Sequence, residues 1–150
     1  MAARTPARGT AQLVAATRAQ TPFGRIIQRA VEATPHALGG AFADAEGELV
    51  DGFARMPAHD LAVMTAHYGI VLALLTAAFG TLHHGGPEFF VARHERVEVI
   101  VYAVGAGYYV MLACAQPPPI VASEAGPGTI EATLEILREA ALVLREEMGC

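Results

Sequence analysis

Apolar positions recur along this chain with two distinct periods, and the changes of period divide it into eight elements. In TPFGRIIQRAVEATP, Phe23, Ile26, Ile27, Ala30 and Val31 repeat at helical spacing. Thr21 supplies an N-cap, Pro22 suits the first helical position and Pro35 stops the helix. In HALGGAFADAEGELVDGFAR, two apolar runs flank DAEG, which predicts strands at Leu38–Ala43 and Glu48–Ala54 joined by a tight turn with Gly47 at positive φ. Gly39 and Gly40 inside the first strand predict close approach of another element.

The longest apolar run, LAVMTAHYGIVLALLTAAFGTLHH, spans Leu61–His84 without an Asp, Glu, Lys or Arg. The predicted helix begins at Ala58, after Pro57, and ends at His84, before Gly85, Gly86 and Pro87. Three strands follow, at Glu88–Glu95, Val97–Val104 and Tyr108–Ala115, joined by hairpin-short turns and therefore antiparallel neighbours. QPPPIVASEAGPG is a proline-rich connector. The last helix carries Ile130, Leu134, Leu137, Ala141, Leu144 and Met148 on one face and its charges on the other.

The long apolar helix meets the length of a membrane span, about 20 residues. Two features argue against one. The surrounding strands need a covering layer, and the helix has two stripes. Leu61, Tyr68, Leu72, Leu75, Phe79 and Leu82 are large. Ala62, Ala66, Gly69, Ala73, Thr76 and Gly80 are small. The expectation is that Leu72, Leu75 and Phe79 pack on the sheet, while Gly69 and Ala73 admit the same helix of a second chain.

Composition narrows the function classes. The 150 residues suit one domain, with residues 1–20 as a tail and 21–150 as the folded unit. At 53% hydrophobic and 17% charged, the sequence is that of a packed chain. A net charge of -5 offers no basic excess for nucleic acid. Cys114 and Cys150 make no disulfide framework or zinc spacing. The N-terminus lacks the apolar segment of a secretory signal, so the expected compartment is the cytoplasm.

Candidate chemistry is sparse. His83 and His84 are adjacent and diverge by about 100° on a helix, so they cannot share an ion there. His59, His67 and His94 add no carboxylate to complete a ligand set. Asp44, Glu46, Glu48 and Asp51 lack the spacing of a calcium loop. GAG at Gly105–Gly107 joins two strands and is no phosphate loop. Ser123 is the only serine, and no G-x-S-x-G element surrounds it. Arg25, Arg29, Arg55, Arg93 and Arg96 read as surface arginines, although any could act as an arginine finger. The expectation is a protein without catalytic residues, cofactor or metal.

The order of elements, with GGAFADAEGELV at Gly39–Val50, the helix at Ala58–His84 and EVIVYAVGAGYYVMLAC at Glu98–Cys114, resembles the roadblock/LC7 family. The resemblance implies an α+β fold: a five-stranded, mainly antiparallel sheet with the long helix on one face and the N- and C-terminal helices on the other. It implies a homodimer or a pairing with another roadblock protein, and a role as regulator or scaffold of Ras-like small GTPases of polarity or motility. The proline-rich connector and the arginine-bearing tail depart from the family's pattern. An alternative is a small-molecule sensor on a PAS- or profilin-like sheet.

In the resemblance, EFFVARHE forms a sheet edge. A long apolar edge aggregates unless paired or covered, so this strand is expected to pair antiparallel with its copy about Val91. Glu88 would then face His94, Phe89 would face Arg93 and Phe90 would face Ala92. The candidate dimer interface is thus Ala66, Gly69, Ala73, Thr76, Glu88, Phe89, Phe90, Val91, Arg93 and His94.

Overall fold

The computed structural model describes residues 21–116 and 129–149. The tail, the connector with Ser123, and Cys150 lie outside the described residues. Eight elements follow in order: α1 Pro22–Ala33, β1 Ala37–Ala43, β2 Leu49–Ala54, α2 Ala58–Phe79, β3 Phe89–Arg93, β4 Val97–Gly105, β5 Tyr108–Ala115 and α3 Thr129–Met148. The strands form one antiparallel sheet in the order β2-β1-β5-β4-β3. β2 and β3 are therefore its two edges, and α2 carries the chain from one edge to the other.

Helix α1 begins where the cap was expected. Thr21 Oγ1 accepts from the Gly24 amide at 3.2 Å. Asp51, buried on β2, ties this cap to the sheet. Its carboxylate accepts from the Thr21 amide at 3.0 Å, from the Thr21 hydroxyl and from the Gly52 amide at 2.7 Å. Those donors satisfy a charge that would otherwise be costly to bury. Ile27 and Val31 then lie on Gly40, where a Cβ would come within 3.0 Å of both side chains. The glycine in the strand is what lets α1 seat this closely.

Two of the three hairpin turns show their sequence signals directly. Asp44 Oδ1 accepts from the amides of Glu46 and Glu48 at 3.0 and 2.9 Å, and Gly47 has φ 82°. In the β4–β5 turn, Ala106 and Gly107 both have positive φ, as a two-residue hairpin turn requires.

The sheet separates two cores. On one face, α1 and α3 pack Ile27, Val31, Leu137, Ala141 and Leu144 against Phe42, Ile100, Tyr102, Val110 and Leu112. On the other, α2 packs Leu61 and Leu72 against Ala41, Val99, Val101, Tyr109 and Met111. This is the α+β arrangement expected, and the α3 stripe packs as its spacing indicated.

Four details differ. The long helix ends at Phe79, and turns occupy the residues up to Gly85. Phe79 and Leu82 are exposed, and Leu75 is only half-buried. The sheet-facing stripe is instead Leu61, Thr65, Gly69 and Leu72. Finally, β3 is shorter than expected, leaving Glu88, His94 and Glu95 outside it.

Candidate functional site

The least covered part of the molecule is the face of α2 directed away from the sheet. Val63, Ile70 and Leu74, seven and four residues apart, lie on one stripe. Ile70 is 60% and Leu74 64% exposed. This helix is long and apolar enough to cross a membrane, yet only 22% of its most apolar stretch is buried. From Leu61 to Pro87 there is no Asp, Glu, Lys or Arg. This exposed apolar surface is the candidate interaction site.

What seats α2 is a contact absent from the sequence pattern. The Tyr109 hydroxyl, rising from β5, donates to the Thr65 carbonyl at 2.6 Å. Gly69 lies over the same hydroxyl, and a Cβ there would overlap it. Gly47 of the hairpin also touches this spot. Gly69 therefore accommodates its own sheet, because a glycine leaves room for the phenol. Burial, and after it the charge of Asp44, pushes the Tyr109 pKa up to about 12.

The second exposed feature is the β3 edge. Ala103 N donates to Glu88 O and His94 N to Val97 O, each at 2.8 Å. With the antiparallel register of β3 on β4, backbone groups of the even-numbered residues turn inward. Those of Phe89, Val91 and Arg93 turn to the open edge. Phe89 is 41% and Val91 36% exposed. Phe90 faces the α2 side, where its ring meets Tyr68 at 6.2 Å.

Three polar candidates on this edge are engaged within the chain. Glu88 accepts from the Tyr102 hydroxyl at 2.7 Å. Arg93 pairs with Glu98 at 2.8 Å. His94 shares a hydrogen bond with Tyr68 of α2. These contacts brace the edge against β4 and α2. Burial, with Glu88 adding to it, raises the Tyr102 pKa to about 12, and burial raises that of Tyr68.

Of the remaining candidates, Ala66 is half-buried beside Gly47, while Ala73 and Thr76 are exposed. Ala73 and Thr76 line an open cleft of about 510 Å³. Its other walls include Ala45, Leu72, Gly107 and Tyr109. The structure brings Phe89, Phe90, Val91, Arg93 and His94 together at one edge and places Ala73 and Thr76 at the cleft. Sequence reasoning missed Tyr109, for which no local signal exists. It also missed the Ile70–Leu74 stripe, whose spacing was readable in a helix apolar all round.

Among the described residues, no three His, Cys, Asp or Glu side chains gather as a metal site. Cys114 is buried, and burial followed by the charge of Glu98 lifts its thiol to about 11. Such a thiol is not activated as a nucleophile.

This architecture is the roadblock/LC7 fold. Solved structures with the same fold include a roadblock/LC7 domain from Streptomyces avermitilis, at TM-score 0.66 and 12% identity, covering 84% of this chain and 97% of that one. MglB of Myxococcus xanthus matches at TM-score 0.70 and 10% identity, covering 87% and 97%. MglC of the same organism matches at 0.54 and 18%, covering 82% and 96%. No family model matches the sequence, and no curated protein matches it.

Proposed function

We propose that this protein is a non-catalytic interaction module: a dimeric regulator or scaffold of a Ras-like small GTPase, or of another roadblock protein in a GTPase circuit. The observation that carries this reading is the apolar outer face of α2, without Asp, Glu, Lys or Arg from Leu61 onward and beside an open β3 edge, on a roadblock/LC7 fold. The fold is shared with MglB, including an MglB with tetrameric arrangement. The reading requires no cofactor or metal. It also implies a cytoplasmic protein whose α2 is covered by protein rather than lipid, since withdrawing α2 would bare Val99, Val101 and Met111.

In this reading β3 pairs antiparallel with its copy about Val91. Phe89, Val91 and Arg93 then satisfy their outward backbone groups across the two-fold axis, and the two α2 helices are brought alongside. Sedimentation of the purified chain tests the dimer. Titration with Ras-like GTPases from the same genome, in GDP and GTP-analogue states, tests the partner. A monomer that binds none of them and leaves their hydrolysis unchanged would rule the reading out.

The cleft beside Ala73 and Thr76 favours a second reading, small-molecule sensing. A thermal-shift screen reads it directly, because a ligand of the folded state raises the melting temperature. A screen without a shift counts against it.

A further inference from the structure

The cleft is walled by Ala45, Gly69, Ala73, Thr76, Gly107 and Tyr109, so it is shallow-sided, apolar and shaped for larger side chains. Beside it stands the β1–β2 hairpin with Asp44, Glu46 and Glu48. Glu46 and Glu48 are exposed, and no described cation pairs with any of the three. Residues 1–20 have the complementary composition. They hold Arg4, Arg8 and Arg18, three of the chain's ten basic residues, and none of its fifteen acidic ones. They also hold the apolar tetrad Leu13-Val14-Ala15-Ala16, set between Arg8 and Arg18.

The point of attachment puts this segment within reach. Residue 20 joins Thr21, which is fastened to Asp51 on β2, an edge strand paired on one side only. The backbone from Asp51 to Ala45 spans at most about 22 Å, at up to 3.6 Å per residue. Leu13 lies eight residues before Thr21, a reach of about 26–29 Å on the same basis. The tetrad can therefore pass round the β2 edge to the cleft.

We propose that residues 1–20 dock on their own chain, with Leu13 and Val14 in the cleft and Arg8 and Arg18 against the carboxylates of Asp44, Glu46 and Glu48. This inference stands apart from the GTPase reading, since it concerns the free chain.

The test uses the full chain. A spin label is attached at Ala16→Cys in a Cys150→Ser background, leaving Cys114, which is buried with a raised pKa and resists labelling. The expected result is loss of amide NMR intensity at Ala45, Ala73, Thr76 and Gly107. Adding Leu13→Asp and Val14→Asp should restore that intensity while β4 amides keep their positions. Raised salt should weaken the effect, because exposed charges are screened. Full intensity at those amides, or loss centred elsewhere, overturns the proposal. Spin-labelled chain without isotope, mixed with unlabelled isotopic chain, separates the sources. Intensity loss in the mixture equal to that within one chain would assign the cleft to a second copy and overturn docking in cis.

Discussion

At the residue scale, the seat of α2 depends on one phenol. Tyr109 fills the space that Gly69 leaves and donates to the Thr65 carbonyl. Gly69→Ala forces the ring to move in a packed core, so it should destabilise by about 1–3 kcal/mol, as overpacking does. In a Tyr109→Phe background the same change should cost less, because the overlapping hydroxyl is gone. Denaturant midpoints of the four proteins measure the coupling, and additive costs would disprove the contact. The same residue makes stability sensitive to alkali. The raised pKa values of Tyr102 and Tyr109, about 12, and Cys114, about 11, mean that the folded state holds protons the unfolded chain releases. Their contribution is fully present well below the unfolded values, about 8.5 for Cys and about 10 for Tyr, and is lost as pH rises towards 12. Unfolding midpoints at pH 8 to 11 should therefore fall with pH, and by less in Tyr109→Phe. A flat profile would contradict the burial of these groups.

At the element scale, most of the fold was legible because local chemistry and period agree. Thr21-Pro22, Asp44 with Gly47, and the Gly105–Gly107 turn fix where elements start and reverse. The orientation of α2 was not legible. A helix apolar on every side offers several stripes of equal merit, and the choice between them is made by Tyr109, forty residues away from Gly69. The helix end was misplaced for a related reason: apolarity continues to Leu82, past the last helical residue, Phe79. The candidate site was read in part. The β3 edge followed from the family resemblance, and the contact of Arg93 with Glu98 follows from their pairing across the short β3–β4 turn. The ties of His94 to Tyr68 and Glu88 to Tyr102 needed the folded chain. The orientation now seen predicts a contrast. Leu72→Ala removes a buried side chain and should cost about 2–5 kcal/mol. Leu74→Ala leaves the core intact and should instead weaken association, seen as a midpoint that depends less steeply on protein concentration. Equal behaviour of the two variants would show that the outer face is not an interface.

The β3 edge makes a sharper prediction at this scale. The Val91 amide points outward, so Val91→Pro removes a donor to a partner strand while sparing the bonds to β4. Sedimentation should show monomer or aggregate in place of dimer. A dimer that persists at micromolar concentration would place the interface elsewhere.

At the scale of the whole molecule, the sheet is covered unequally. Two helices close one face, and the charged residues of α3 turn to solvent. A single helix closes the other and presents an apolar surface without a charge from Leu61 to Pro87. A chain that needs only to fold has no use for this asymmetry, because Ile70 and Leu74 gain nothing from exposure. It is accounted for if a protein partner completes the surface. The direct measurement is titration of the purified chain, by calorimetry, with Ras-like GTPases from its own genome, comparing native protein with Leu74→Asp. The account predicts saturable binding to at least one GTPase, dependent on its nucleotide state and lost in Leu74→Asp. Absence of binding across the panel, or binding that Leu74→Asp leaves unchanged, would contradict it.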